Sequence, residues 1–175
     1  MEKNQAFEYF VSKLLEWYNE LNGQDKVNDL STLKVLKLLF FCSAIDTKKG
    51  QEGTLLDYPF NNFYAMPYGH VESEIYSGIK ANEFPNLEIN NSTTNFINQI
   101  DYPDGDIKTK INASVERLKL ENKNLINMTS FDLVELSHRW YSWRYYFAKA
   151  KRNYTYSESI PSEIIKAEEK IFSLN

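Results

Sequence analysis

Residues 33–46 read LKVLKLLFFCSAID, and residues 63–76 read FYAMPYGHVESEIY. In the first stretch Leu33, Leu36, Leu39 and Phe40 recur at helical spacing, and Val35, Leu38 and Phe41 make a second apolar stripe beside them. A helix that is apolar almost all round belongs inside a protein. The run is too short to span a bilayer and is interrupted by Lys34 and Lys37, so the sequence predicts a buried core helix whose two lysine tips snorkel to water. In the second stretch Pro59 to Met66 is aromatic and partly alternating, which suits extended chain. Pro67-Tyr68-Gly69 is a turn, and the following HVESEIYSGIK restarts a helix, with Val71, Ile75 and Ile79 spaced by four and Glu72 and Glu74 at the positive end of its dipole. His70 then stands at a helix start, where it packs or hydrogen-bonds in the turn, and its replacement by alanine is expected to be mild.

Working outward, residues 4–22 read as an amphipathic helix with Phe7, Phe10, Val11, Leu14, Tyr18 and Leu21 on one side and Asn22-Gly23 as its stop. Ser31 or Thr32 caps the apolar helix. Residues 84–105 are the least regular part, with Leu87 to Ile89 as a short strand and Asn90 to Thr94 as loop. Ile107, Ile111, Val115 and Leu118 mark another helix. Thr129-x-x-Asp132 resembles a capping box and opens a long helix to about Lys151. Pro161 begins a last helix containing Ile164, Ala167, Ile171 and Phe172. With no repeat and no long linker, residues 1–175 are expected to form a single compact multi-helix domain, mainly α, with at most short strands or extended edges.

The composition is that of a globular chain: 42% hydrophobic and 25% charged over 175 residues, enough for one good core. The 12 Tyr and 11 Phe argue for large packing areas before they argue for chemistry. A net charge of -4 and a pI near 5.3 disfavour non-specific nucleic-acid binding for the chain as a whole. A local basic strip remains from Arg139 to Arg152, interleaved with aromatics. Cys42 is the only cysteine, so a disulfide or cysteine-based zinc site within the chain has no second ligand. The N-terminus MEKNQAFEYF has no signal-peptide pattern, which predicts a cytoplasmic protein, and no segment predicts a membrane partner.

The order of these elements resembles the Panacea domain family of SocA-like, phage-associated antitoxins. The resemblance rests on the Leu36-Lys37-Leu38-Leu39-Phe40-Phe41 helix, the aromatic turn from Phe63 to Val71 with Tyr76 in the next helix, and His138 five residues ahead of Trp143. Where the family pattern has Tyr-Gly-Pro-Val, this chain has Tyr68-Gly69-His70-Val71. The resemblance covers almost the whole chain. It implies a non-catalytic domain, without cofactor, that neutralises a cognate toxin protein by direct contact or delivers it as an adaptor to a cytoplasmic protease.

Catalytic readings fare poorly, because with only His70 and His138 available a triad would need Cys42 or an unassigned serine brought beside one of them. Two distant histidines make no metal signature, and the six glycines form no phosphate cradle. In the long C-terminal helix Leu133, Leu136, Trp140, Trp143 and Phe147 form one stripe, and Val134, His138, Tyr141 and Tyr145 a second. Either the helix is packed on both sides, or the His138, Tyr141 and Tyr145 side faces a partner protein. Arg139, Ser142, Tyr146 and Lys149 fall between as a solvated face. The candidate partner-binding residues are therefore His138, Tyr141 and Tyr145, joined by Met66, Tyr68 and His70 of the turn. The acidic balance suits a basic toxin, and an RNA-binding module using the Arg139 to Arg152 strip is a second alternative.

Overall fold

Helix α1 (Lys3–Asn22) buries Phe7, Phe10, Val11, Leu14 and Tyr18 along one side and stops where Gly23, at φ +85°, donates its N–H to the Asn19 carbonyl. It is the first element of a computed structural model that describes residues 1–175. Helix α2 (Thr32–Ala44) follows, capped by Ser31, whose hydroxyl accepts from the Lys34 N–H at 3.3 Å. A hairpin of β1 (Phe63–Met66) and β2 (Gly69–Glu72) leads into α3 (Ser73–Lys80). A second small hairpin joins β3 (Leu87–Ile89) to β4 (Thr94–Phe96). Then come α4 (Asp106–Glu121), a 3-10 turn at Leu125–Asn127, α5 (Ser130–His138), α6 (Tyr141–Arg152), β5 (Glu158–Ser159) and α7 (Ser162–Ala167). The chain is thus mostly helical, with one three-stranded antiparallel sheet in the order β2-β1-β5 and one two-stranded sheet. No helix is long and apolar enough to cross a membrane.

One connected core of 39 buried apolar residues runs from Ala6 to Phe172, and α2 sits at its centre, against β2, α4 and α5. Every residue from Lys34 to Ala44 is buried, which bears out the core helix but not its exposed lysine tips. Lys34 and Lys37 are both fully buried, because neighbours enclose α2 on every side. Lys34 reaches the half-exposed carboxylate of Asp29 at 2.7 Å and keeps its charge paired. Lys37 has no carboxylate; its ammonium nitrogen donates to the His70 carbonyl. Cys42 is enclosed too, and burial pushes its thiol pKa up, away from reactivity.

The turn leads into a strand rather than directly into a helix. His70 and Val71 belong to β2, paired with Ala65 and Tyr64, and the helix starts only at Ser73. The carboxylate of Glu72 caps α3 by accepting from the Ile75 N–H at 2.8 Å, and Lys3 meets it at 2.8 Å. Because β2 is a sheet edge, the polar backbone of His70 needs partners from outside the sheet. Its N–H donates to the Ser137 hydroxyl at 3.1 Å and its carbonyl takes the Lys37 hydrogen bond, so α5 and α2 complete the edge. Thr94, expected as the end of a loop, instead opens a strand, and residues 94–96 pair with β3 around an Asn90 side chain that accepts from the Ser92 and Thr93 N–H groups at 2.8 and 3.0 Å.

The long C-terminal helix is two helices. The capping box holds, with the Thr129 hydroxyl and the Asp132 N–H at 3.1 Å, but the chain turns extended at Trp140 (φ -70°, ψ 137°) before α6 begins. Trp140 leaves the helical path to insert its ring edge-on against Phe40 at 4.7 Å and Phe172 at 5.7 Å, and its indole N–H donates to the Ile171 carbonyl at 3.0 Å. The last helix also ends early, at Ala167. Residues 168–175 are not helical; Phe172 packs under Phe41 and Trp140.

Candidate partner-binding face

The break between α5 and α6 decides which side of the C-terminal region is left open. His70 fills the break. Its Nδ1 lies 2.8 Å from the Ser137 hydroxyl on α5 and its Nε2 2.7 Å from the Ser142 hydroxyl on α6, while its ring stacks on Phe40 at 3.6 Å. Burial, with the positive Lys37 nearby, holds the His70 pKa well below the ordinary histidine value, so the ring is neutral and uses one nitrogen as donor and the other as acceptor. Glu168 completes the junction by accepting from the Ser142 N–H at 2.9 Å, a carboxyl cap at the start of α6. Burial raises the Glu168 pKa against the Ser142 hydrogen bonds.

Serines are therefore brought beside a histidine, an arrangement disfavoured on sequence grounds. Ser137, Ser142 and His70 are all fully buried, so the three side chains serve as a clamp between β2, α5 and α6. This removes His70 from the candidate partner-binding set: a ring with no exposed surface cannot touch a partner. It also removes Ser142 from the face expected to be solvated.

Of the remaining candidates, Met66 and His138 are brought together at Trp143. Trp143 of α6 donates its indole N–H to the Met66 carbonyl at 2.8 Å and stacks on His138 at 3.6 Å and on Phe147 at 4.9 Å. Met66 and His138 are half-buried supports of this stack, and Tyr68, in the same turn as Met66, is 59% exposed. Burial lowers the His138 pKa, partly offset by the Pro67 backbone carbonyl beside it. The turn and the helix, distant in sequence, are thus pinned together through the Met66 and Pro67 backbone.

On the outer side of α6, Tyr141, Arg144, Tyr145, Ala148, Lys151 and Arg152 are all exposed and follow the spacing of a single helical stripe. Tyr141 and Tyr145, 52% and 46% exposed, stack on each other at 5.7 Å. The helix carries Arg144, Lys149, Lys151 and Arg152 and no acidic residue. Only Lys149 among them is ion-paired, to Glu158 at 2.6 Å. Arg144, Lys151 and Arg152 are thus free cations around exposed rings, and the tyrosines and arginines among them are residue types enriched at the anchoring positions of protein interfaces.

Tyr154 and Tyr156, just beyond α6, were not singled out by sequence reasoning although they are 97% and 87% exposed. Their signal was present in the segment RNYTYSES, where two tyrosines stand among polar residues with no apolar periodicity to bury them. No protein-family model, characterised protein or solved structure matches this chain.

Proposed function

We propose that this chain is a non-catalytic protein-binding domain that acts in the cytoplasm as an antitoxin, covering a cognate toxin through the outer stripe of α6. The observation that carries this reading is the stacked, exposed Tyr141–Tyr145 pair with Arg144 between them, on a helix whose other sides are held in place. Glu168 at its start, the Trp143 hydrogen bond to the hairpin and the buried Ala150 restrain α6, so little ordering is required on binding. The Panacea resemblance supplies the antitoxin class; the surface supplies the means.

The test is co-expression with the product of the adjacent gene. Growth arrested by that product should resume when this chain is induced, and the two proteins should co-purify in fixed stoichiometry. Tyr141→Ala with Tyr145→Ala should abolish rescue in a protein that still folds. A neighbour harmless in every host, or turnover of a nucleotide, peptide or sugar by the purified chain, would sink the reading. Rescue that requires a cytoplasmic protease would make the chain an adaptor using the same face.

A further inference from the structure

At the C-terminal end of α6 one of the free cations, Lys151, lines a recess of about 470 Å³ together with Pro67, Phe147, Tyr154, Thr155 and Tyr156. Its floor is Phe147, the last ring of the stack that begins at His138. Lys151 stands 4.8 Å over the Phe147 ring, so a fixed cation borders an apolar floor. The walls come from opposite sides. The hairpin turn contributes Pro67, and the turn after α6 contributes the two tyrosines.

That second turn is built in an expensive way. Tyr154 has φ +56°, the left-handed conformation in which glycine or asparagine normally follows a helix. Thr155 fixes the turn through its N–H and hydroxyl, which both donate to the Ala150 carbonyl, at 2.9 and 3.2 Å. The result is a bulky ring held almost wholly in solvent beside Tyr156.

We propose that this recess, with Lys151 in its wall and Arg144 and Arg152 on the exposed stripe of α6 that borders it, receives an acidic segment of a partner protein: one apolar or aromatic side chain seats on Phe147 between Pro67 and the tyrosines, one flanking carboxylate meets Lys151, and further carboxylates meet the cations of the stripe. This deepens the protein-binding reading above and rests on it. Charge carries the choice of occupant. The chain as a whole is at -4, which points to a basic partner, but the exposed stripe of α6, which borders the recess at Lys151, has three unpaired cations and no acid. The local sign is opposite to the global one, and contact energies follow the local sign because screening limits the rest to about 8–10 Å at ordinary salt. A nucleic acid is the weaker occupant. Three free cations release few counterions, and the acidic remainder of the chain repels a continuous polyphosphate.

Panning the immobilised full-length chain against a random dodecapeptide library tests this directly, with binding of the enriched peptides followed through fluorescence of the chain. Enriched sequences should place carboxylates on both sides of an aromatic or branched apolar residue. Their binding should weaken about tenfold in Lys151→Glu and in Tyr156→Ala, and weaken again as salt is raised. Tyr154→Gly should weaken binding without lowering the melting temperature, since it relieves the backbone. Neutral or basic consensus sequences, no enrichment, affinities unmoved by these variants, or tighter binding of a uridylate dodecamer than of the peptides would overturn the proposal. The two readings fail separately. If the wild-type chain rescues growth and Lys151→Glu with Tyr156→Ala rescues equally well, the recess assignment falls and the antitoxin reading stands; if acidic peptides bind but the wild-type chain never rescues, the reverse holds.

Discussion

Two histidines in this molecule stack on aromatic rings at the same 3.6 Å separation, and they do different work. His70 lies flat on Phe40 with no exposed surface and with serine hydroxyls on both ring nitrogens. His138 lies on Trp143 at the edge of the α6 face, half-buried, with Nε2 free of any partner. The first stack closes a junction of three elements. The second stiffens the border of a surface that the fold leaves open. The lesson is that an aromatic-histidine pair says nothing by itself; what its nitrogens meet tells whether it is a clamp or a rim.

If that contrast is right, substitutions in the junction unfold the protein and substitutions on the face do not. Phe40→Ala is expected to have the largest effect, about 3–5 kcal/mol, because it removes a fully buried ring that touches Phe63, His70 and Trp140. His70→Ala should cost about 2–4 kcal/mol, through the lost stack and the stranding of the Ser137 and Ser142 hydroxyls, contrary to the mild effect its position in a turn suggests. Chemical denaturation measures both, and a wild-type midpoint in either variant would break the comparison. Gly69→Ala should cost about 1–3 kcal/mol, since its φ is +94° and the added Cβ would lie 2.9 Å from Ser137 Cβ.

Lys37 sharpens the comparison through pH. Complete burial lowers its pKa from 10.5 to about 7, while the unfolded chain keeps the ordinary value. Above about pH 10.5 the amine is neutral in both states and burial carries no charge penalty. As pH falls towards 7 only the unfolded state gains the proton, so stability drops; below 7 both states hold it and the penalty stays constant. Lys37→Met should therefore be more stable than wild type by about 1–4 kcal/mol near neutrality, less the cost of the His70 carbonyl it orphans, with the advantage vanishing towards pH 10. Melting curves of both proteins across that range check the slope. A constant difference would show that the lysine is not titrating in the core.

Much of the fold is legible in the residues because it depends on local rules. Phe7 to Tyr18, Leu33 to Phe41 and Ile111 to Leu118 announce their helices by periodicity, and Ser31 and Thr129 announce where helices start. What escapes local reading depends on distant partners. Nothing between Ser137 and Ser142 is a glycine or proline, and the helix breaks there because Trp140 gains an aromatic pocket and His70 wedges in from a strand 70 residues upstream. Thr94 to Phe96 becomes strand only because β3 is there to pair with it. The candidate site divides in the same way. Tyr141 and Tyr145 are readable as a surplus stripe that one core cannot take, whereas the burial of His70 and the meeting of Met66 with Trp143 require the folded chain.

The smallest effect on stability belongs to the face, where partner binding itself is read. Tyr141→Ala and Tyr145→Ala, each made singly, should leave the melting temperature nearly unchanged while weakening binding to the co-purified partner by about 1–3 kcal/mol each. Calorimetric titration and thermal melting on the same samples give both numbers. Unchanged melting with weakened binding is the result expected of a partner surface; lowered melting with binding intact would place both tyrosines in the packing of α6 and contradict the partner-binding role of this face.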